Sequence, residues 1–415
     1  LIPLGNALGA SREFVSKNVQ IIPDTDSFKL LGIYFNKDLK LSMNENWERC
    51  ITKMKTHVNI LSKRNLSLKG KALILNSLIL AKASFISNVF AIPTEKLKTI
   101  ETLIFQYLWF NKKSEPIARK TIFLPLSQGG LGIKNPLTHN LAMRTKHLYD
   151  LVNQQNNEVW VLLLRYWISK NIYILHQNFR FLMDNRKIKT SIGDPPNHHK
   201  DLINHITQTQ QDLLNQTPNT KKLYTKILEK QNEGHNIKGE QSWNNITNKQ
   251  LDWKHIWTNT FNTYCQPIEN DTLYKILHHC LRTNKFIATW KMYANRVSPN
   301  CKYCNLLEDI KHIFTDCYKK KPVWNHFQNI YTGLNPLSNF NSFDHMLTLS
   351  TGKTDSKTKK LILTITTLII QHIWKSRNKL QFENTLIPSN KIVNNIKADV
   401  KHIINTHFKI DHEYN

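Results

Sequence analysis

The stretch ENWERCITKMKTHVNILSKRNLSLKGKALILNSLILAK, running from Glu45 to Lys82, decides the fold class. In its first half Trp47, Ile51, Met54, Val58 and Leu61 recur at spacings of 4, 3, 4 and 3, one apolar stripe on a helix from about Glu45 to Lys63. Asn44 or Asn46 is placed to cap it. After a charged break, Ser67 is a good N-cap for a second helix. There Leu68, Ala72, Leu75, Ile79, Ile86 and Val89 keep the same rhythm, with Lys82 interrupting it. This helix is apolar on most sides, which predicts a place at the centre of a bundle. Pro93-Thr94-Glu95 opens a third helix carrying Leu97, Ile100, Ile104, Tyr107 and Leu108. Three helices with short connections predict a compact antiparallel bundle.

Working outward, Phe28 to Phe35 reads as a strand with a glycine kink at Gly32, and Val19 to Ile22 is its expected hairpin partner. Thr121 to Leu126 reads as a short strand before the turn Gly129-Gly130-Leu131-Gly132, and a further helix covers roughly Pro136 to Val152. From Asp184 to about Gln250 the chain turns polar, which predicts a connector with weak helices and a mobile stretch. Leu273 to Trp290 reads as one helix, and two more end the chain near 357–383 and 389–407. The expected fold is mainly α: a short β-hairpin over 1–42, a helical bundle over 43–152, a polar helical connector over 153–250, a small metal-binding module over 251–330 and C-terminal helices over 331–415. No internal repeat stands out.

The totals narrow the partners. Lys and Arg number 57 against 30 Asp and Glu, a formal charge of +27, in a chain of 415 residues. Such an excess points to a polyanion: RNA, DNA or an acidic membrane surface. No run of about 18 apolar residues supports a membrane span, and the first residues carry no signal-peptide pattern. The first residue is Leu1, not Met, so a preceding N-terminal part is expected. Few Gly (12) and Pro (14) agree with a mostly helical chain. Six cysteines in a chain this long and basic do not form a disulfide framework, and Cys50, Cys265 and Cys280 read as buried small hydrophobes.

The remaining cysteines make the sharpest motif. Cys301, Cys304, His312 and Cys317 follow C-x2-C-x7-H-x4-C within 17 residues. The first pair can grip one ion from a tight turn, and the His-x4-Cys pair can return from a short helix. Three sulfurs and one imidazole form a closed tetrahedral set, which predicts a structural Zn²⁺ and no open position for substrate. Chance clustering is the alternative. Tyr303, Phe314 and Tyr318 surround the motif, either packed in a core or free to stack on bases.

A second cluster is basic: Lys63, Arg64, Ser67, Lys69 and Lys71 around a helix start. Cations there oppose the helix dipole. An anion such as phosphate at the free N–H groups would resolve the conflict, whereas a solvated basic turn would leave it. A third, Arg119 and Lys120 before the glycine turn, is either a backbone-binding element or simply a tight turn. It lacks a dinucleotide or P-loop pattern. Pro23-Asp24 with Asp38-Leu39-Lys40 loosely spells a nuclease motif, which the abundance of Pro and Asp in turns explains as well.

The order of these parts resembles the non-LTR (LINE-type) retrotransposon reverse transcriptases. "FKLLGI" (Phe28 to Ile33) resembles the strand that follows their palm. Trp47 to Lys71 with "LSLKGKALILNSLILAK" resembles the start of their thumb. "LIFQYLWFNKK" (Leu103 to Lys113), "ARKTIFLPLSQGGLGIKNP" (Ala118 to Pro136) and "NLAMRTKHL" (Asn140 to Leu148) resemble the rest of the thumb. Cys301 to Cys317, with "VWNHF" soon after, is similar to their C-terminal zinc-binding domain. "IWKSRNKLQFEN" (Ile373 to Asn384) is similar to a helix that follows it. About 155 to 250 matches nothing specific.

The resemblance implies an RNA-directed DNA polymerase that copies element RNA at a nicked target. This chain would then hold the palm's end, the thumb and the zinc-binding domain. The thumb would clamp template–primer through Lys63, Arg64, Lys69 and Lys71, while the zinc domain would hold element RNA or target DNA. A nuclear place of action at target DNA, otherwise the cytoplasm, follows from the same likeness. The family's palm carries an Asp pair, and this chain has no Asp-Asp dipeptide, so it is expected not to polymerise alone. The alternative is a zinc-stabilised protein-interaction scaffold derived from such an element.

Overall fold

The computed structural model describes residues 26–110, 115–153, 158–159, 219–290, 297–334 and 341–408. These residues are mainly helical, with one two-stranded antiparallel sheet. By Cα packing the chain divides into two units. The first takes Leu1–Arg64, Ile74–Asn111 and Lys134–Glu233; the second takes Asn65–Leu73, Lys112–Ile133 and Gly234–Asn415. The units therefore interleave along the chain.

In the first unit β1 (Phe28–Leu30) pairs with β2 (Ile33–Phe35), Phe28 opposite Phe35 and Leu30 opposite Ile33. The expected kinked strand is itself the hairpin. Leu31 (φ 48°) and Gly32 (φ 89°) make a two-residue turn with both residues left-handed, the geometry that suits twisted strands. The expected partner, Val19 to Ile22, lies outside the described residues.

Helix α1 (Leu39–Leu61) begins earlier than the sequence suggested, because the Asp38 carboxylate caps it, accepting from the Lys40 amide at 2.7 Å. That use of Asp38 supplies an ordinary structural role for part of the nuclease-like pattern. Asn46, an expected cap, lies inside the helix. Its amide instead accepts from the Tyr34 N–H (3.0 Å) and donates to the Tyr34 carbonyl (2.7 Å), fastening β2 to α1. Trp47, Ile51, Met54, Val58 and Leu61 are all buried as the stripe predicts, and the Trp47 indole donates to the Ala91 carbonyl at 2.8 Å.

The second helix is not continuous. Helix α2 (Leu68–Ile74) runs into a π-turn (Leu75–Ile79), closed by the Leu80 amide on the Leu75 carbonyl at 2.7 Å, before α3 (Ala81–Val89). The wider turn shifts the buried face. Leu68, Ala72, Leu75 and Ile79 are buried, but the inward positions of α3 are Ala83 and Ser87, while Leu73, Leu78 and Phe85 are exposed. No single helix among the described residues is long and apolar enough to cross a membrane. Helix α4 (Thr94–Trp109) buries Ile100, Ile104, Tyr107 and Leu108 as expected. Helices α3 and α4 both pack on α1, and α6 (Pro136–Asn153) packs on α3, on α4 and on α7 (Thr220–Gln231). Ala142, Leu223 and Ile227 form the α6–α7 seam.

The second unit surrounds a long central helix. The expected strand at Thr121 to Leu126 is instead α5 (Arg119–Ile122) and a 3₁₀ turn (Leu126–Gln128). The Ile122 and Leu124 carbonyls are taken by the Leu131 and Gly132 amides at 3.1 and 2.9 Å, so the segment folds on its own glycine turn. That turn is packed inward. A Cβ on Gly130 would stand 1.8 Å from the Leu124 oxygen, and the Gly129 carbonyl accepts from Tyr274 Oη (3.0 Å) and His278 Nε2 (2.8 Å). Gly129, Gly130 and Leu131 are thus taken up in packing, while Ser127, Gln128 and Gly132 stay exposed.

Helices α8 (Lys238–Thr247) and α9 (Trp253–Thr260) follow. The expected connector thus ends in well-packed structure, with Trp243 buried; its portion at 160–218 lies outside the described residues. The single helix expected at Leu273 to Trp290 is two, α10 (Asn270–Leu277) and α11 (Asn284–Ala288), broken where His279 turns left-handed (φ 52°). After the metal loop come α12 (Lys321–Leu334), α13 (Ser342–Thr348), α14 (Ser356–Glu383) and α15 (Ser389–His407). Helix α14 buries an unbroken run from Ile362 to Ile370, then Ile373, Ser376 and Arg377.

Candidate metal centre

The ligand atoms of Cys301, Cys304, His312 and Cys317 lie within 4.8 Å of one another, and the four form a group able to hold a metal ion. Cys304 Sγ stands 3.1 Å from His312 Nε2. Cys301, His312 and Cys317 are buried, and Cys304 is half-buried.

Local backbone geometry aims the ligands. The Cys301 amide donates to the Leu306 carbonyl (2.7 Å) and the Asn305 amide to the Cys301 carbonyl (2.8 Å). Asn305 takes φ 62°, so the turn brings both sulfurs of the C-x2-C pair inward. His312 opens a π-turn (His312–Asp316) whose closing bond runs from the Cys317 amide to the His312 carbonyl at 2.9 Å. That wide turn, often found at functional sites, lets a four-residue spacer bring imidazole and thiol to one point. Each sulfur also meets the amide two residues on: Tyr303 for Cys301 at 3.4 Å, Leu306 for Cys304 and Lys319 for Cys317. Such donors favour thiolates and orient them.

The sulfurs are close enough to set one another's protonation. A hydrogen bond between Cys301 and Cys317, more than burial, pushes the Cys301 thiol up and the Cys317 thiol down. Cys304 is raised by burial. The remaining cysteines do not join them: burial lifts Cys50 to about 11 and Cys280 to about 12, and raises Cys265 too, although that residue is half-buried and not buried as expected.

The loop is fastened to α14 by groups that the sequence reading missed. Glu308, between the second and third ligands, is buried, with Oε1 2.5 Å from Arg377 Nη2. The same carboxylate oxygen accepts from the Asn284 amide at 2.8 Å, while Arg377 also donates to Asn284 Oδ1 at 2.6 Å. Beneath the centre, buried Lys320 donates to Tyr303 Oη (2.9 Å) and Ser376 Oγ (2.7 Å). Burial pulls the Lys320 pKa down to about 8, partly offset by Cys317 and Cys301. Arg377 carried the legible signal: it falls four residues after buried Ile373 on the same face, where a charge requires a partner. Of the aromatic residues around the motif, Phe314 is core and Tyr303 is hydrogen-bonded to Ser376, while Tyr318 is exposed.

The basic helix start does not fold as a phosphate site. Its anion is internal: the Asp271 carboxylate accepts from the Leu68 amide at 3.1 and 3.2 Å, across 203 residues of chain. Ser67 is buried, its hydroxyl accepting from the Gly70 amide at 3.0 Å. Lys71 is 2% exposed and acts on Asp271. Ser67 and Lys71 therefore leave the set expected to touch nucleic acid, because both are taken up in the fold. Lys63, Arg64, Lys69 and Lys120 are exposed. Arg119 is half-buried and bound to Glu115 at 2.6 Å. Compared with known proteins, the sequence matches no family model and no curated protein.

Proposed function

We propose that the chain is the nucleic-acid-binding C-terminal part of a LINE-type reverse transcriptase, with Zn²⁺ as the structural ion of the three-cysteine, one-histidine centre. The convergence of Cys301, Cys304, His312 and Cys317 carries this reading. A closed donor set of three sulfurs and one nitrogen, with backbone amides on the sulfurs, suits Zn²⁺ and leaves no coordination site for a substrate. The order of motifs along the chain and the charge of +27 supply the rest. The zinc-bearing unit holds RNA or DNA by shape and charge. Of the basic residues that the sequence singled out, Lys63, Arg64, Lys69 and Lys120 remain candidate phosphate contacts, with Arg119 once released from Glu115.

The test is binding of structured RNA and of duplex DNA by the zinc-loaded 415-residue chain at several salt concentrations. Micromolar or tighter binding that weakens steeply and linearly in log K against log[salt] is expected. Affinity that stays constant from low to physiological salt contradicts the reading. Primer extension by the same chain is expected to stay at background.

A further inference from the structure

Beside the metal loop, within the second unit, lies a cavity of about 280 Å³ that the metal centre does not use. Its wall is Trp243, 1% exposed and held by its indole N–H on the Ile276 carbonyl at 3.0 Å. His279 meets that indole edge-on, with ring centroids 4.9 Å apart. Phe286, 37% exposed, and Ile246, 51% exposed, leave the cavity open to solvent. Lys285 and Lys311 also line it, the former 3.3 Å from Asp309 and the latter 3.8 Å from Asp316, so each would exchange a carboxylate for a phosphate. Lys311 lines a second, more polar cavity of about 480 Å³ as well, with Lys321, Asn325 and Gln328.

The placement of His279 is unusual. The Cys280 amide bonds the Lys275 carbonyl (3.0 Å) and the His279 amide bonds the Ile276 carbonyl (2.8 Å). These two bonds close α10 with a left-handed residue at the position glycine normally fills. Here it is histidine at φ 52°, and its ring lines the cavity. Backbone strain kept where a side chain enters a cavity is a pointer to use. Phe286 is placed by its own helix cap, since Thr283 Oγ1 accepts from the Phe286 amide at 3.2 Å.

We propose that this cavity is a base pocket. It takes one unstacked nucleobase of a single-stranded nucleic acid against Phe286 and His279, with the flanking phosphates on Lys285 and Lys311. The volume is below the roughly 300–1,000 Å³ of pockets for larger ligands and suits a single planar ring system. Aromatic walls with a lysine rim match a base and its backbone, and stacking of this kind tolerates any base. The chain's charge favours a polyanion over an apolar peptide. Asp309, Ile310 and Lys311 line the pocket and immediately precede the ligand His312, so the metal loop supplies one side of it.

The inference rests on the nucleic-acid reading, and the experiment separates the two. Binding of the zinc-loaded full chain to oligo(dT) and to an abasic strand of equal length is measured across salt for wild type, Phe286→Ala and His279→Asn. Asparagine tolerates the left-handed backbone but removes the ring. Each variant should weaken oligo(dT) binding roughly 5- to 150-fold with the salt slope unchanged, and should bind the abasic strand as wild type does. If wild type binds structured RNA or duplex DNA but neither single strand, the base pocket alone is wrong; if it binds none of the four, the nucleic-acid reading fails and the pocket with it. If wild type binds but both folded variants match it on oligo(dT), or lose equally on the abasic strand, the base pocket alone is wrong.

Discussion

The metal loop at 301–317 and the basic helix start at 63–71 each concentrate chemically active side chains, and folding treats them oppositely. In the loop the three thiols and the imidazole converge into a group able to hold a metal ion. At the helix start the positive field is answered from within, by Asp271 on the Leu68 amide, and Lys71 is buried. The difference is one of distance along the chain. A site whose partners lie within 17 residues is written in local spacing. A site whose anion arrives from 203 residues away looks unsatisfied in the sequence and is satisfied in the fold.

Breaking the comparison at its strong end should have the largest effect. Removing the metal by chelation, or one ligand by Cys317→Ser, should unfold the segment around 297–320, because metal binding here is folding energy. Circular dichroism and limited proteolysis would show it, and protection unchanged after verified metal removal would mean the loop folds without an ion. Next comes the buried pair beneath the loop. Arg377→Met leaves Glu308 without its ion partner in a dry site and should cost about 3 to 5 kcal/mol in denaturant unfolding. A loss below about 1 kcal/mol would mean the pair is not desolvated as the geometry indicates.

The packing around the glycine turn carries a pH dependence. Burial pushes the His278 pKa down to about 4 from 6.5. A depressed folded pKa stabilises the fold above the unfolded value, and that stability is lost as pH falls from about 6.5 through about 4. The contribution at neutral pH is up to about 3 kcal/mol. His278→Gln, which retains a donor for the Gly129 carbonyl, should flatten the stability profile across that window. Asp271 runs the other way: burial, more than the opposing influence of Lys275, raises its pKa to about 6, so its term favours the fold at low pH and fades as pH rises toward about 6.

The smallest effect on folding should come from the surface cations. Replacing Lys63, Arg64, Lys69 and Lys120 by Ala should change stability within about 0.5 kcal/mol, yet flatten the slope of log K against log[salt] by up to about 3 to 4. Lys71→Met should do the reverse, costing stability while leaving that slope alone.

Much of the architecture was legible because helices announce themselves locally. The stripe from Trp47 to Leu61, the helix opened by Pro93 and the two C-terminal helices form where periodicity places them. The failures have physical causes. A π-turn after Ile74 shifts the inward face of α3, and no local residue marks it. The Thr121 to Leu126 run has β-forming residues, but its carbonyls bond the adjacent glycine turn. The break after Leu277 rests on a histidine accepting a left-handed backbone, where glycine would have signalled it. The four candidate ligands were readable in full. Glu308 and Lys320 were not, since their role depends on α14 passing beneath the loop, and Arg377 showed only as a charge on the buried face of that helix.

Metal content tests the central claim most directly. Elemental analysis of the purified 415-residue chain, dialysed against metal-free buffer, should find about one zinc per chain, as a single closed four-ligand site requires. Cys304→Ser should lose it. A folded chain that carries no zinc, or that keeps its full complement after Cys304→Ser, would contradict the account.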